Sequence, residues 1–325
     1  MQNQSNGAKR GAAPQVPQVQ WFPGHMARTR RQIKESLPLV DAVAELRDAR
    51  APESSRNPEL DKLIGGKPRI VLLNKCDLAD PGATACWLRR LRREGCFALA
   101  VDCRSGKGLQ EFPAEVRKAL AALLLAREAR GMAGKSVRLM VVGIPNTGKS
   151  SFINRMAGRS RAEAADRPGV TRRSQWFAAG RIPDGKGGGI TLELLDTPGV
   201  LWPKFDDPAV GDRLAFLGSV KEEILDGEAL ALRLLEILRD AYPARLRERY
   251  RLAEDEEALA LWEPWRLLEQ IARRRGMLIS GGEADLARAS SALMDDLRSG
   301  KLGKITFDAC GAPSPRAAGG EAEGA

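Results

Sequence analysis

The sequence predicts an α/β fold with a mainly parallel sheet, followed by a small all-α domain at the C-terminal end. Three observations carry that prediction. Between about residues 21 and 200, short apolar runs alternate with helical stretches, the pattern of βαβ units. A glycine-rich segment, Gly143–Ser150, sits between an apolar run and a helical pattern. After about Gly211 only helical spacing of apolar residues remains.

The strand candidates are Ala42–Arg47, Arg69–Asn74, Phe97–Asp102, Leu139–Gly143, Gln175–Ala179 and Thr191–Asp196. Helical candidates between them are Arg28–Leu37, Thr84–Glu94, Phe112–Arg130 and the stretch after Lys149. Pro183–Gly189 reads as a glycine-rich surface turn. In the second part the helical candidates are Leu230–Asp240, Ala258–Ile271 and Glu283–Arg298, with Pro264 expected to kink the second. Trp262 and Trp265 are expected in the helical core. The ends, residues 1–19 and about 311–325, are rich in Gln, Ala, Pro and Gly and are expected to be disordered. The expected organisation is therefore an arm at 1–19, an α/β domain at 20–210, a helical domain at 211–310 and a tail at 311–325.

Composition narrows the function. Hydrophobic residues make up 43% of the 325 and charged residues 29%, so a packed core is available. No apolar run approaches the ~20 residues of a membrane helix, and the N-terminus has no secretory h-region. Both point to the cytoplasm. Five cysteines, none in C-x-x-C, and a single histidine argue against zinc and for reduced thiols. The net charge of +10 points to a polyanionic partner. Residues 1–34 hold six basic side chains and no acid, whereas acids outnumber bases in 212–325.

Three segments carry nucleotide chemistry. Gly143-Ile-Pro-Asn-Thr-Gly148-Lys149-Ser150 fits G-x-x-x-x-G-K-[ST], with an apolar strand before it and a helix after it. Backbone N–H groups from Asn146, Thr147, Gly148, Lys149, Ser150 and Ser151 are expected to cradle phosphates at the helix N-terminus. Lys149 reaches the β- and γ-phosphates, and the Ser150 hydroxyl binds Mg²⁺. Asp196-Thr-Pro-Gly199 closes another strand; Asp196 holds Mg²⁺ through water and the Gly199 N–H meets the γ-phosphate. Asn74-Lys75-Cys76-Asp77 follows a third strand. A carboxylate there accepts two hydrogen bonds from guanine and none from adenine, so Asp77 selects GTP or GDP. Lys75 lays its methylenes along the base. Thr171, in Pro168-Gly-Val-Thr171, is expected to complete the Mg²⁺ shell, and the N–H groups of Asp102-Cys103 to back the guanine.

The order of these segments is rotated. In an ordinary small GTPase the P-loop comes first and N-K-x-D late; here Asn74–Asp77 precedes Gly143–Ser150, which precedes Asp196–Gly199. That order, with Trp21-Phe-Pro-Gly-His-Met-Ala27, Asp48-Ala-Arg50 and Asp196-Thr-Pro-Gly-Val-Leu-Trp-Pro203, resembles the circularly permuted YlqF/RbgA GTPases. The resemblance implies a circularly permuted P-loop GTPase fold and a ribosome biogenesis factor acting late in large-subunit assembly. It also implies that Ile279–Lys301 belongs to a helical domain that contacts RNA. The implied partner is the precursor of the large ribosomal subunit, with no DNA and no membrane. Asp102-Cys103 departs from the Ser-Ala type of many GTPases.

No Gln follows Gly199; Val200 and Leu201 stand there instead. Two groups are candidates for orienting or assisting the attacking water. His25, in a Pro-Gly-His loop, offers a neutral imidazole, and the resemblance points to it as catalytic. Asn146 offers an oxygen for K⁺ beside the phosphates. Both imply weak activity until a partner stimulates it. The missing Gln leaves a non-catalytic GTP-sensing, RNA-binding scaffold as the alternative. The basic clusters Arg245–Arg251, Arg273–Arg275, Lys301 and Lys304 are candidate RNA contacts. Residues 200–211 are expected to link nucleotide state to the helical domain.

Overall fold

The computed structural model describes residues 23–158, 175–184, 187–199, 207–220 and 226–311. The Thr171 segment, Val200 and Leu201, most of the 200–211 link, and the expected disordered ends lie outside this set, apart from Gly311.

The first part runs α1 (Pro23–Ser36), β1 (Ala42–Asp48), α2 (Pro58–Ile64), β2 (Arg69–Asn74), α3 (Pro81–Arg93) and β3 (Phe97–Ala100). It continues through α4 (Phe112–Ala119), α5 (Ala121–Ala129), β4 (Val137–Val142), α6 (Lys149–Met156), β5 (Gln175–Pro183) and β6 (Gly189–Asp196). The strands form one sheet in the order β3-β2-β1-β4-β6-β5. Every neighbouring pair is parallel except the β5–β6 edge. The strand that leads into the Gly143–Ser150 loop is thus fourth in the chain but central in the sheet. A sheet records neighbours, not where the chain starts, so a rotated order builds the same platform.

Both faces of the sheet are covered. Leu46, Leu72, Leu139, Val141 and Leu194 pack beneath Phe112 and Val116 of α4 and Phe152 of α6. On the other face Val43, Met140 and Leu195 meet Ile33 of α1 and Leu60 of α2. Val71 and Leu73 meet Trp87 and Leu91 of α3. Covering both faces removes polar alternation from the central strands: all seven residues of β1 are buried. Its three charges survive by pairing: Arg47 donates to both Glu45 oxygens at 3.0 Å, and Asp48 pairs with Arg50 just past the strand.

The second part holds α7 (Pro208–Phe216), α8 (Gly227–Ala241), α9 (Pro243–Tyr250), α10 (Glu256–Ala260), α11 (Pro264–Arg274) and α12 (Leu286–Arg298). Leu234, Leu235, Leu238, Leu267, Ile271 and Leu293 form its core. Helical packing starts at Pro208, because Leu214, Ala215 and Phe216 already belong to that core.

Three local expectations are corrected. Pro264 does not kink a helix; it starts α11, where a first-turn proline costs no hydrogen bond. Trp265 therefore lies on α11 and is exposed, whereas Trp262, in the turn between α10 and α11, is buried. Phe112–Arg130 is broken in two at Leu120.

After α12 the chain returns to the sheet. Residues 302–310 run as a strap across the loops beside β1 and α3. The Phe307 N–H donates to the Arg50 carbonyl at 2.7 Å and the Ile305 N–H to that of Leu78 at 3.1 Å. Cys310 at its end is disulfide-bonded to Cys86 of α3. This corrects the expectation of five reduced thiols. The two cysteines are 224 residues apart, and no spacing rule reveals such a pair.

Candidate nucleotide site

The site lies at the carboxyl ends of the parallel strands, where open α/β sheets bind ligands. Register places Asp48 beside Asn74 and Asp196 beside Val141. The loops that follow β2, β4 and β6 therefore meet on one edge.

Asn74 joins them. Its Nδ2 donates to the Thr147 carbonyl at 2.7 Å, and its Oδ1 accepts the Cys103 N–H at 3.0 Å. Lys75 repeats the bridge: its Nζ donates to the Asn146 carbonyl at 2.7 Å and lies 3.1 Å from Asp48. Lys75 and Asn146 are two of only three described non-glycine residues with positive φ, at 60° and 61°. Left-handed backbone of this kind is costly and persists where surroundings hold it. Asp77 follows in the turn closed by the Leu78 N–H on the Lys75 carbonyl, and is exposed.

The glycines explain the close approach. Gly148, at φ 95°, has Asn74 Nδ2 where a Cβ would stand. A Cβ on Gly199 would lie 2.9 Å from Lys149 Nζ and 3.0 Å from the Pro145 nitrogen. The Asp196–Gly199 loop is thus pressed against the phosphate loop. Thr197 adds a bond from its hydroxyl to the Val141 carbonyl at 2.6 Å.

Lys149 is buried and its Nζ donates to the Ile144 carbonyl at 2.8 Å. Burial lowers its pKa to about 8, against the attraction of Asp196. A buried cation short of negative charge suits a phosphate. Ser150, in the first turn of α6, and buried Asp196 offer a hydroxyl and a carboxylate oxygen. That donor set fits a hard cation such as Mg²⁺ when phosphate oxygens complete it. Ser151 follows in the same turn.

Two expectations change. Both N–H groups of Asp102-Cys103 are spent internally, Asp102 on the Lys107 carbonyl and Cys103 on Asn74. The Asp102 carboxylate accepts the N–H groups of Arg104 and Ser105. This pair shapes the loop rather than donating to a base. His25 falls in the first turn of α1, so Pro23-Gly24-His25 opens a helix instead of forming a loop.

Sequence reasoning gave no role to Asp48 and Arg50. Asp48 is buried at the end of β1, clamped by Arg50 Nε at 2.9 Å and Nη2 at 2.8 Å. Burial disfavours its charge, but Arg50 and Lys75 outweigh that and hold its pKa far below the usual range. The signal was an Asp at a strand end with an Arg two residues on.

The phosphate loop also touches the helical part. Ile144 is buried within the helical core. Asn146 Nδ2 donates to the Gly218 carbonyl at 2.6 Å. Arg298 of α12 donates to the Ala215 and Phe216 carbonyls, and Arg50 Nη1 to that of Leu297. Among the candidate RNA contacts, Arg249 and Arg275 are instead paired to buried Asp296 at 2.8 and 2.9 Å.

A phosphate loop, an N-K-x-D turn bonded to it and a D-x-P-G loop pressed on it define a P-loop GTP-binding protein, in permuted order. The comparisons agree. A family model described as 50S ribosome-binding GTPase matches residues 138–247. Ribosome biogenesis GTPase A of Priestia megaterium is 44% identical over 291 residues, covering 89% of this chain and 96% of that protein. The protein of the same name from Thermotoga maritima is 30% identical over 290 residues, covering 89% and 94%. A solved GNP-bound YlqF from T. maritima matches with a TM-score of 0.58 at 27% identity, covering 87% of this chain and 99% of that one. A GDP-bound YlqF structure matches with a TM-score of 0.59. The chain belongs to the ribosome biogenesis GTPase A (YlqF/RbgA) family.

Proposed function

We propose that this protein binds and hydrolyses GTP as an assembly factor for the large ribosomal subunit, docking on ribosomal RNA according to its nucleotide state. The observation that carries the reading is the double bridge from the N-K-x-D turn to the phosphate loop, Asn74 to Thr147 and Lys75 to Asn146. It joins the base-reading turn to the phosphate grip, so Asp77 selects guanine while Lys149 and the first turn of α6 hold the phosphates. The bonds from Asn146 to Gly218 and from Arg50 to Leu297 give nucleotide state a path into the helical part.

Ser150, Thr171 and Asp196 hold Mg²⁺, which offsets phosphate charge when bound. K⁺ beside the phosphates takes the side-chain oxygen of Asn146, whose amide nitrogen already serves Gly218. His25 orients the water once a partner brings the start of α1 to the phosphates. The arm and the helical part contact RNA, a reading supported by the exposure of Arg251, Arg274 and Lys304. No described helix is long and apolar enough to cross a membrane.

The test is GTP turnover with and without precursors of the large subunit, for wild type and His25→Ala. The reading expects stimulation by the particles in wild type and little in the variant. Equal rates in all four arms contradict it. Co-sedimentation should be stronger with a non-hydrolysable GTP analogue than with GDP.

A further inference from the structure

The 302–310 strap lies directly behind the N-K-x-D turn. Leu78, the residue after Asp77, accepts the Ile305 N–H at 3.1 Å, and the Asp80 N–H donates to Thr306 Oγ1 at 3.0 Å. Phe307 is bonded to Arg50, the residue that clamps Asp48, and Asp48 in turn meets Lys75. Asp308 accepts the N–H groups of Glu53 and Ser54 at 2.7 and 2.8 Å, the Ser54 hydroxyl at 2.7 Å and Arg213 Nη1 at 3.1 Å. Trp87 Nε1 donates to the Asp308 carbonyl and Arg90 to that of Cys310. The Cys86–Cys310 bond is the last fastening, and the only covalent one among the described residues.

We propose that Cys86 and Cys310 are a thiol–disulfide site whose oxidation clamps the strap behind the guanine-reading turn and slows nucleotide release. The second half of this rests on the GTP-binding reading above; the clamp itself does not. Both cysteines are half-buried at the rim of α3, within reach of a small disulfide reagent. The other three thiols are poor competitors. Burial pushes Cys103 up to about 12 and raises Cys76 and Cys96 as well.

The chemistry is thiol–disulfide exchange with a low-molecular-weight disulfide such as oxidised glutathione. One protein thiolate attacks a sulfur of that disulfide, and its partner leaves as a thiolate. The second cysteine then attacks the mixed disulfide and expels the other small thiolate. Two electrons pass from the protein dithiol to the reagent, which ends as two thiols. A small dithiol runs the steps backward.

The experiment uses the full chain, oxidised with glutathione disulfide or reduced with a dithiol. Free thiols should number three in the oxidised form, against five cysteines in all. Dissociation of a fluorescent GDP should be about threefold to tenfold faster after reduction, as the competent conformer loses population. Hydrogen exchange in residues 75–80 and 302–310 should rise with it. Cys86→Ser and Cys310→Ser should both sit at the reduced values under either treatment. Five free thiols persisting under oxidant, or exchange and release unchanged by reduction, overturn the proposal. If neither form binds GDP while strap exchange still responds, the clamp stands and the GTP-binding reading fails.

Discussion

The Asn74 side-chain amide donates to the Thr147 main-chain carbonyl at 2.7 Å, across 73 residues of sequence. One side chain thus ties the base-reading turn to the phosphate loop, and its oxygen ties both to Cys103. Asn74→Ala removes two buried hydrogen bonds and strands a carbonyl and an N–H. Guanine nucleotide affinity should fall at least about tenfold, at a net ~1 kcal/mol for each bond. Titration with a fluorescent GDP analogue reads this directly, and wild-type affinity would refute the bridge.

Lys149 makes nucleotide binding pH-dependent. Its folded pKa is about 8 against the ordinary 10.5. Between those values the unfolded chain holds a proton that the nucleotide-free fold has lost, so this group adds stability as pH rises from about 8 to 10.5. Phosphates favour the protonated form, so binding must take up a proton above pH 8. Affinity should then fall about tenfold per pH unit there. Binding enthalpies in buffers of different ionisation heat would show proton uptake at pH 8.5, and none at that pH would be inconsistent.

Asn146 serves the phosphate loop and Gly218 together. With a K⁺ ligand there, wild-type turnover should run at least about tenfold faster in KCl than in NaCl, since losing one electrostatic contact at a reacting centre costs roughly 10²–10³ in rate. Asn146→Ala should bring the ratio to one. Equal rates for wild type in both salts would remove K⁺ from the account.

Asp296 anchors the helical part. It accepts from Arg249 twice, Arg275 and the Tyr250 hydroxyl. Burial disfavours its charge, but the Arg249 bonds prevail and hold its pKa below the usual value. Its stabilising share is complete above the ordinary carboxylate range and fades as pH falls through the lowered pKa. Asp296→Ala leaves two arginines without their anion and should cost on the order of 3 kcal/mol. Thermal unfolding near pH 7 should show that loss, and a larger gap from wild type at pH 7 than at pH 3.

What was legible in the sequence was local. The Gly143–Ser150 loop announces itself because strand, glycines and helix are contiguous, and β2 and β6 each end in a short polar motif. Distance in sequence hides the rest. Nothing near Cys310 points to Cys86, and nothing near Asp308 points to Ser54, because both contacts come from the chain doubling back after α12. Trp265 misled because Glu263-Pro264 starts a new helix, so its separation of three from Trp262 is not a helical spacing. Asp102-Cys103 misled because position at a strand end does not reveal which N–H groups the loop consumes itself. Arg249 and Arg275 read as RNA contacts until folding sets Asp296 between them.

The most direct test is nucleotide choice by Asp77→Asn. An amide there donates toward the guanine edge where the carboxylate accepted. GTP affinity should fall at least about a hundredfold while xanthosine triphosphate gains by a similar factor. Unchanged GTP affinity, with no gain for the xanthine nucleotide, would mean that the turn bound to Thr147 and Asn146 does not read the base.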